Sequence, residues 1–173
     1  NELWRHSLGV AITAHILGTK AAMKNPEEVF VGGLLHDIGK VVLYVKWPDV
    51  GQQITAQTRK TSRPLMDAEQ DLFAVTHADV GGWLATAWHL PISLREPILH
   101  HHTPAAAQEA TLQTAIVHVA DVLVKGLACG NPGDDLVPPL SRPAWDLVGL
   151  DAQSLAHCVA QATEEFQTID DYL

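Results

Sequence analysis

Apolar residues recur every three to five positions along most of this chain, and that spacing restricts the fold more than any other feature of the sequence. In the first segment Leu3, Leu8, Ile12 and Ile16 fall at intervals that place them on one face of a helix. No stretch alternates apolar and polar residues for more than four positions, so β-strands are not expected. The chain is therefore predicted to be all-α, with a first helix over residues 2–23.

Capping and helix-breaking residues divide the rest of the chain into further helices. Asn25 precedes Pro26 and two acidic residues, which starts a second helix predicted over residues 26–45, and Pro48 ends it. Glycines and prolines concentrate in residues 129–143, which are predicted to form the main loop. The other predicted helices cover residues 50–60, a segment opening at Asp67, and residues 77–89, 93–102, 107–128, 144–147 and 152–166.

Length, charge and cysteine content exclude several classes of protein. A chain of 173 residues suits one domain, and residues 1–173 are predicted to form it. The formal net charge of −9 argues against a nucleic-acid partner, because the phosphate backbone repels an acidic surface. Cys129 and Cys158 have no metal-binding or disulfide-framework spacing, and no apolar run is long enough to cross a membrane. A cytoplasmic protein with no membrane partner is expected.

The octapeptide GLLHDIGK, residues 33–40, holds the strongest indication of function. His36 and Asp37 lie side by side in an apolar helix, where burying an imidazole and a carboxylate costs several kcal/mol unless each is paired or holds a cation. Lys40 follows about one turn later and can reach the same face. The alternatives are a metal-binding pair and a buried, hydrogen-bonded pair.

This octapeptide resembles the signature of the HD superfamily, and the resemblance implies an HD-domain-like helical bundle with a divalent metal. In that superfamily an early histidine, the His-Asp doublet and a distant aspartate hold one ion, and intervening histidines hold a second ion in the two-metal branch. Asp37 would lie between the two ions. Imidazole and carboxylate ligands without thiolates suit one or two ions of iron, manganese, zinc or magnesium. The predicted metal ligands are His6, His36, Asp37, His77, His101, His102 and Asp121.

Within the superfamily the chain is most similar to the HDOD group of bacterial signalling proteins, and the similarity covers nearly all of it. The group usually has more helices before Leu3, and the chain begins without an initiator methionine, so a piece of a longer protein lacking N-terminal helices is expected. After the histidines the chain has Thr103-Pro104 and lacks the Gly-Tyr-Pro element of related cyclic-dinucleotide phosphodiesterases. The matching pieces are LWRHS (3–7), GLLHDIGK (33–40), THADVG (76–81), WHLP (88–91), ILHHHTP (98–104) and VAD (119–121).

Several of these residues have a second interpretation. His77 could cap a helix instead of binding metal, and Lys40 could grip a phosphate oxygen or pair with Asp37. Glu2 lies one turn before His6 and could add a carboxylate to the same face. The other histidines are predicted to be structural or exposed, namely His15, His89, His118 and His157. The tryptophans Trp4, Trp83, Trp88 and Trp145 are predicted to lie in the core.

Three functions fit the sequence. The first is an HDOD-type signal-transduction domain that keeps a metal site and binds protein partners of a signalling pathway. The second is a metal-dependent phosphohydrolase acting on a nucleotide or another small phosphate ester, with Asp37 and Lys40 as catalytic residues. The third is a sensor in which an iron ion changes redox state.

Overall fold

The fold is an all-helical bundle, as the sequence predicts. The computed structural model describes residues 2–61, 63–134 and 136–170, and within these ranges all regular structure is helical. No helix in the same ranges is both long and apolar enough to cross a membrane. The helices are α1 (Glu2–Lys20), α2 (Pro26–Leu35), α3 (Ile38–Lys46), α4 (Pro48–Thr61), α5 (Leu65–Phe73), α6 (His77–Ala87), α7 (Ile92–His100), a 3-10 turn (Pro104–Ala106), α8 (Thr111–Gly126), α9 (Arg142–Val148) and α10 (Ala152–Asp170).

Helices α1 and α8 form the centre of the hydrophobic core. They pack against each other, with α2, α9 and α10 around them. Val10, Leu17, Ile116 and Val119 are fully buried between these helices. Because both helices are buried over most of their surface, any polar side chain on their inner faces is also removed from water. This is the environment of His6 on α1 and Asp121 on α8.

The predicted helix over residues 26–45 is wrong in one respect, because the chain turns at His36 and Asp37. Helix α2 ends at Leu35 and α3 begins at Ile38. The break lets α2 pack on α1 and α7 while α3 packs on α6. The His-Asp doublet therefore lies in a tight turn inside the bundle.

Two glycines allow the close helix contacts on either side of this turn. A Cβ atom at Gly33 would lie 3.0 Å from the backbone of Ala11 in α1, and a Cβ at Gly39 would overlap the carbonyl oxygen of His77 in α6. The lack of a side chain at Gly39 thus lets the start of α3 touch the start of α6. This contact brings Asp37 within reach of His77.

Helix α8 begins at Thr111, four residues later than the predicted start at 107. The buried carboxylate of Glu96 in α7 accepts hydrogen bonds from the backbone N–H groups of Gln108 (3.0 Å), Glu109 (3.1 Å) and Ala110 (2.6 Å). Burial would raise the pKa of Glu96, but these hydrogen bonds hold it below its ordinary value. These hydrogen bonds fix residues 108–110 as a bend ahead of α8.

The prediction that the tryptophans lie in the core is wrong for three of them. Trp4, Trp83 and Trp88 are 50%, 60% and 54% exposed, whereas Trp145 packs against the core. Helical spacing identifies the apolar face of a helix, but it does not show whether another element covers that face. In the described residues these three indole rings lie on uncovered faces.

We predict that Gly39→Ala lowers the free energy of unfolding by about 3 kcal/mol, because the new methyl group must push α3 away from the backbone of α6. Gly126→Ala is the control, since nothing lies within 4 Å of a Cβ atom there, and it should be neutral or stabilise by up to about 1 kcal/mol. Urea denaturation measures both. Equal effects of the two substitutions would contradict the close contact.

Candidate metal centre

The seven side chains predicted as metal ligands meet in one cluster inside the bundle. Six of them are 0–2% exposed, and the seventh, His102, is partly buried. Each comes from an element that the fold brings to the same point. The seven side chains are His6 from α1, His36 and Asp37 from the α2–α3 turn, His77 from the first position of α6, His101 and His102 after α7, and Asp121 from α8.

The first half of the cluster contains His6, His36 and Asp121, whose ligand atoms lie within 4.8 Å of one another. Nε2 of His6 is 3.1 Å from Oδ1 of Asp121, yet neither atom is aligned for a hydrogen bond. Nε2 of His36 is 3.8 Å from the same oxygen. Ligand atoms that are each about 2.1 Å from one ion lie roughly 3–4 Å apart. These side chains could therefore hold one divalent ion.

The second half contains three histidines, His77, His101 and His102, which also meet within 4.8 Å. Nε2 of His77 is 2.9 Å from Nε2 of His102. Nε2 of His101 is buried and has no hydrogen-bond partner among the described residues. This half could hold a second ion with imidazole ligands alone or with a carboxylate oxygen added.

Asp37 lies at the boundary between the two halves and faces both. Its Oδ2 is 3.4 Å from Nε2 of His36 and 3.9 Å from Nε2 of His6, whereas its Oδ1 is 3.3 Å from Nε2 of His77 and 3.8 Å from Nε2 of His101. One carboxylate thus presents one oxygen to each half. This is the arrangement that a carboxylate bridging two ions requires.

Lys40 is buried beside Asp37, and its Nζ donates a 2.8 Å hydrogen bond to Oδ2. Burial opposes the charge on both groups, but each stabilises the other. Burial would raise the pKa of Asp37, yet the charges of His36 and Lys40 hold it well below its ordinary value. Burial likewise would lower the pKa of Lys40, and Asp37 raises it. Both side chains are ionised at neutral pH.

Backbone carbonyl groups orient two of the imidazole rings. Nδ1 of His36 is 2.6 Å from the carbonyl oxygen of Gly33, and Nδ1 of His101 is 2.9 Å from that of Ile98. A carbonyl oxygen only accepts hydrogen bonds, so Nδ1 is the donor in both rings, and Nε2 has the lone pair when the ring is neutral. Nε2 points into the cluster in both rings, which is the tautomer that binds a metal ion through Nε2.

Glu69 in α5 orients His77, and the sequence did not reveal this residue as part of the site. Its Oε2 is 2.6 Å from Nδ1 of His77 and also accepts a 2.8 Å hydrogen bond from the backbone N–H of His77. Glu69 is fully buried, and its Oε1 has no hydrogen-bond partner among the described residues. The one signal in the sequence was a carboxylate one turn after Leu65 and next to Ala68 on the buried face of a helix.

Burial keeps most of the imidazoles neutral. Burial lowers the pKa of His101 and of His102 well below the ordinary value, and the neighbouring imidazoles lower both further. Burial also lowers the pKa of His6. His36 differs, because the charge of Asp37 outweighs the effect of burial and raises its pKa. Neutral imidazole is the form that binds metal ions.

The four histidines predicted to be structural or exposed lie outside the cluster, and the structure also decides whether His77 caps α6 and whether Glu2 joins the cluster. His118 is structural, as predicted, because its Nδ1 donates to the carbonyl oxygen of His101 (2.7 Å) and its Nε2 accepts from the N–H of Ser141 (3.0 Å). Thr76, and not His77, caps α6. Glu2 is exposed and pairs with Arg5, outside the cluster. His89 and His157 are exposed, and His15 packs against the ring of Phe30.

The cluster reaches a cavity of about 280 Å³ through one edge of its second half. Lys40, His77 and His102 form that edge of the cavity wall. A small molecule in the cavity would therefore meet the second half of the cluster and the ammonium group of Lys40.

Comparison with known proteins identifies relatives along the whole chain. The model of the HDOD domain family matches residues 1–104. An HDOD domain protein of unknown function from Geobacter sulfurreducens is 28% identical, with a TM-score of 0.85 over 99% of this chain and 62% of that chain. The MmoQ response regulator from Methylococcus capsulatus str. Bath is 25% identical, with a TM-score of 0.65 over 92% and 60%. An uncharacterized protein of Treponema pallidum (strain Nichols) is 27% identical over 112 residues.

The chain spans less than two thirds of the length of each of these relatives, and only 21% of the Treponema protein. The family match includes six of the seven predicted ligands. Asp121 lies beyond the match, and its place in the cluster comes from the geometry alone.

We predict that Glu69→Gln weakens metal binding at the second half of the cluster by about 10- to 100-fold, because the hydrogen bond from Nδ1 of His77 loses its charged acceptor. Calorimetric titration with Mn²⁺ measures the affinity, and the control is Glu109→Gln, a substitution at an exposed position. Circular dichroism checks that both variants are folded. Unchanged affinity at both ions would refute this role of Glu69.

Proposed function

We propose that this chain, which belongs to the HDOD domain family, is a bacterial signal-transduction domain that holds two divalent metal ions on either side of Asp37. The observation that carries the proposal is the position of the Asp37 carboxylate, with one oxygen directed to each group of histidines. Two buried imidazole atoms on opposite sides of Asp37, Nε2 of His6 and Nε2 of His101, have no hydrogen-bond partner in the part of the chain that the structure describes, which supports the proposal.

The charge of the cluster also favours bound cations. Asp37, Asp121 and Glu69 bring three carboxylates into the interior, and among the described residues Lys40 is the one ammonium group that contacts Asp37. Burial would raise the pKa of Asp121, but His6 and His36 hold it well below its ordinary value. Excess buried negative charge costs several kcal/mol unless it is compensated. Divalent ions would supply the compensation.

The donor atoms limit the choice of metal. Five imidazoles and two carboxylates make up the predicted ligand set, and neither cysteine belongs to it. Imidazole suits iron and zinc, and a carboxylate beside the imidazoles suits manganese, whereas magnesium prefers oxygen ligands alone. We propose iron, manganese or zinc in the histidine-rich second half, with magnesium a less favourable occupant.

A signalling role agrees with the likeness to a response regulator and with the position of the cluster. Its side chains come from α1, the α2–α3 turn, α6, the end of α7 and α8, so its occupancy is coupled to the packing of most of the bundle. The proposed partners are proteins of a signalling pathway or a small phosphorylated ligand.

We predict two metal ions per chain in protein purified without chelator, and at most one in the double variant Asp37→Asn/Lys40→Met. The second substitution removes the ammonium group that would otherwise be left buried without its partner, so the double variant should fold. His157→Gln, which changes an exposed histidine, is the control for adventitious binding and should keep both ions. Elemental mass spectrometry counts the ions.

A folded double variant that keeps both ions would contradict the proposal. So would a wild-type chain that takes up no iron, manganese or zinc after removal of metals and reconstitution.

A second candidate function is a metal-dependent phosphohydrolase, favoured by the presence of Lys40, His77 and His102 in one cavity wall. When bound, the ions would lower the pKa of a coordinated water to near neutrality. Asp37 would fix the relative position of the two halves of the cluster. The ammonium group of Lys40 has three N–H donors, and its hydrogen bond to Asp37 uses one of them. The others can donate to a phosphoryl oxygen.

If the chain hydrolyses phosphate esters, we predict that Lys40→Met lowers kcat by about 10²–10³, because an ammonium group facing the phosphoryl oxygens is lost. The variant should keep its metal ions, since Asp37 remains. A screen of phosphate monoesters with the manganese-loaded chain measures the activity, and Lys24→Met, at an exposed position, is the control. Full activity in Lys40→Met would rule out this role.

A further inference from the structure

The cavity beside the cluster has two unlike ends. Three of its residues, Lys40, His77 and His102, belong to the metal cluster or contact it. Most of the remaining wall is apolar and comes from the start of α5 and from the segment before α9. These apolar residues are Leu65, Met66, Leu136, Val137, Pro138 and Pro139.

The polar groups of the outer wall are already engaged within the protein. Lys125 donates a 2.9 Å hydrogen bond to Oδ1 of Asp134, and Oδ2 of Asp134 accepts a 2.8 Å hydrogen bond from the backbone N–H of Leu65. Both ring nitrogens of His118 are bound to backbone groups. Asp67 lies at the rim, 45% exposed and 4.0 Å from Arg63. These groups hold the wall in place, whereas Lys40 keeps donors for a ligand.

A second cavity that reaches the cluster has the wrong charge for an anion. It measures about 350 Å³, lies between α1 and the α2–α3 segment, and includes Asp37 as the charged residue of its lining. Its other lining residues are Leu3, Trp4, Ser7, Leu34, Leu35, Ile38 and Val41. A phosphate group would meet a carboxylate there and no cationic side chain. An anionic ligand is therefore expected in the cavity that contains Lys40.

From these contacts we infer that the ligand is a small phosphate monoester whose organic part is apolar. This inference rests on the proposed metal site and names the ligand class of its second half. The phosphoryl group would lie at Lys40, His77 and His102, and the apolar part would pack against the side chains of Leu65, Met66 and Val137. A volume of about 280 Å³ is at the lower limit of small-molecule sites, roughly 300–1,000 Å³, which suits one ring system and excludes a dinucleotide.

Two non-hydrolysable probes test this division of the cavity. Phenylphosphonate and methylphosphonate share the anionic head, and only the first has an apolar ring. With the manganese-loaded chain, calorimetry should show that phenylphosphonate binds about tenfold more tightly or better, because its ring is buried against the apolar wall. Val137→Asp should abolish this preference and leave methylphosphonate binding in place. Val137 is 52% exposed, so the substitution should not prevent folding.

Val45→Asp is the matched control, because Val45 is also exposed (73%) and does not line the cavity. It should keep the full preference for the phenyl compound. Equal affinity for the two probes, no binding of either, or an unchanged preference in Val137→Asp would overturn the inference. Metal content of the same samples separates the two proposals. A chain that holds manganese without the preference contradicts the ligand class alone, whereas a chain that holds no manganese contradicts both.

Discussion

The burial of the Asp37 carboxylate is the constraint on which the rest of the structure depends. A carboxylate in the middle of a helical bundle must be compensated by charges and donors from several elements at once. Lys40 supplies one of them from the next turn, and the histidines of α6 and of the segment after α7 approach from the other side. That approach is sterically possible because the chain turns between α2 and α3 and because Gly39, two residues after Asp37, has no side chain.

The same constraint gives the surrounding polar residues a common purpose. Carbonyl groups of Gly33 and Ile98 and the carboxylate of Glu69 each bind the Nδ1 atom of a ring in the cluster. Each of these bonds turns Nε2 of its ring toward the inner side of the cluster. The first half of the cluster lies between α1, the α2–α3 turn and α8, whereas the second half reaches a cavity with Lys40 in its wall. Under the proposed function, the second half would be the part that contacts a ligand.

The sequence was sufficient for the fold class, because helical spacing of apolar residues persists through the chain, but it misplaced features that depend on packing. Residues 26–45 read as one helix since their apolar pattern has no interruption, and the turn at His36 arises from contacts with α1 and α6. Helix α8 starts later than its apolar pattern predicts, after a bend whose N–H groups donate to the distant carboxylate of Glu96. The exposed tryptophans show the same limit, because periodicity does not reveal whether a face is covered.

The predicted ligands came from the order of residues in a family pattern, and the structure brings all seven together. The residues next to His6 and Asp121 in the sequence gave no sign of a site. The two side chains are far apart in the sequence and meet because α1 packs on α8. Glu69 escaped prediction because it belongs to no motif, and its role depends on a contact between α5 and the start of α6. The family pattern in the sequence therefore predicted the seven side chains of the cluster. The residue that orients one of them, Glu69, is identified only from the three-dimensional packing.

Anomalous X-ray diffraction from crystals of the manganese-loaded chain would test the two-ion arrangement most directly. We expect two anomalous peaks about 3.5–4 Å apart, one bounded by His6, His36 and Asp121 and the other by the three later histidines, with the Asp37 carboxylate between them. A manganese-loaded crystal with no peak in this cluster, or with peaks only at surface carboxylates, would contradict the account.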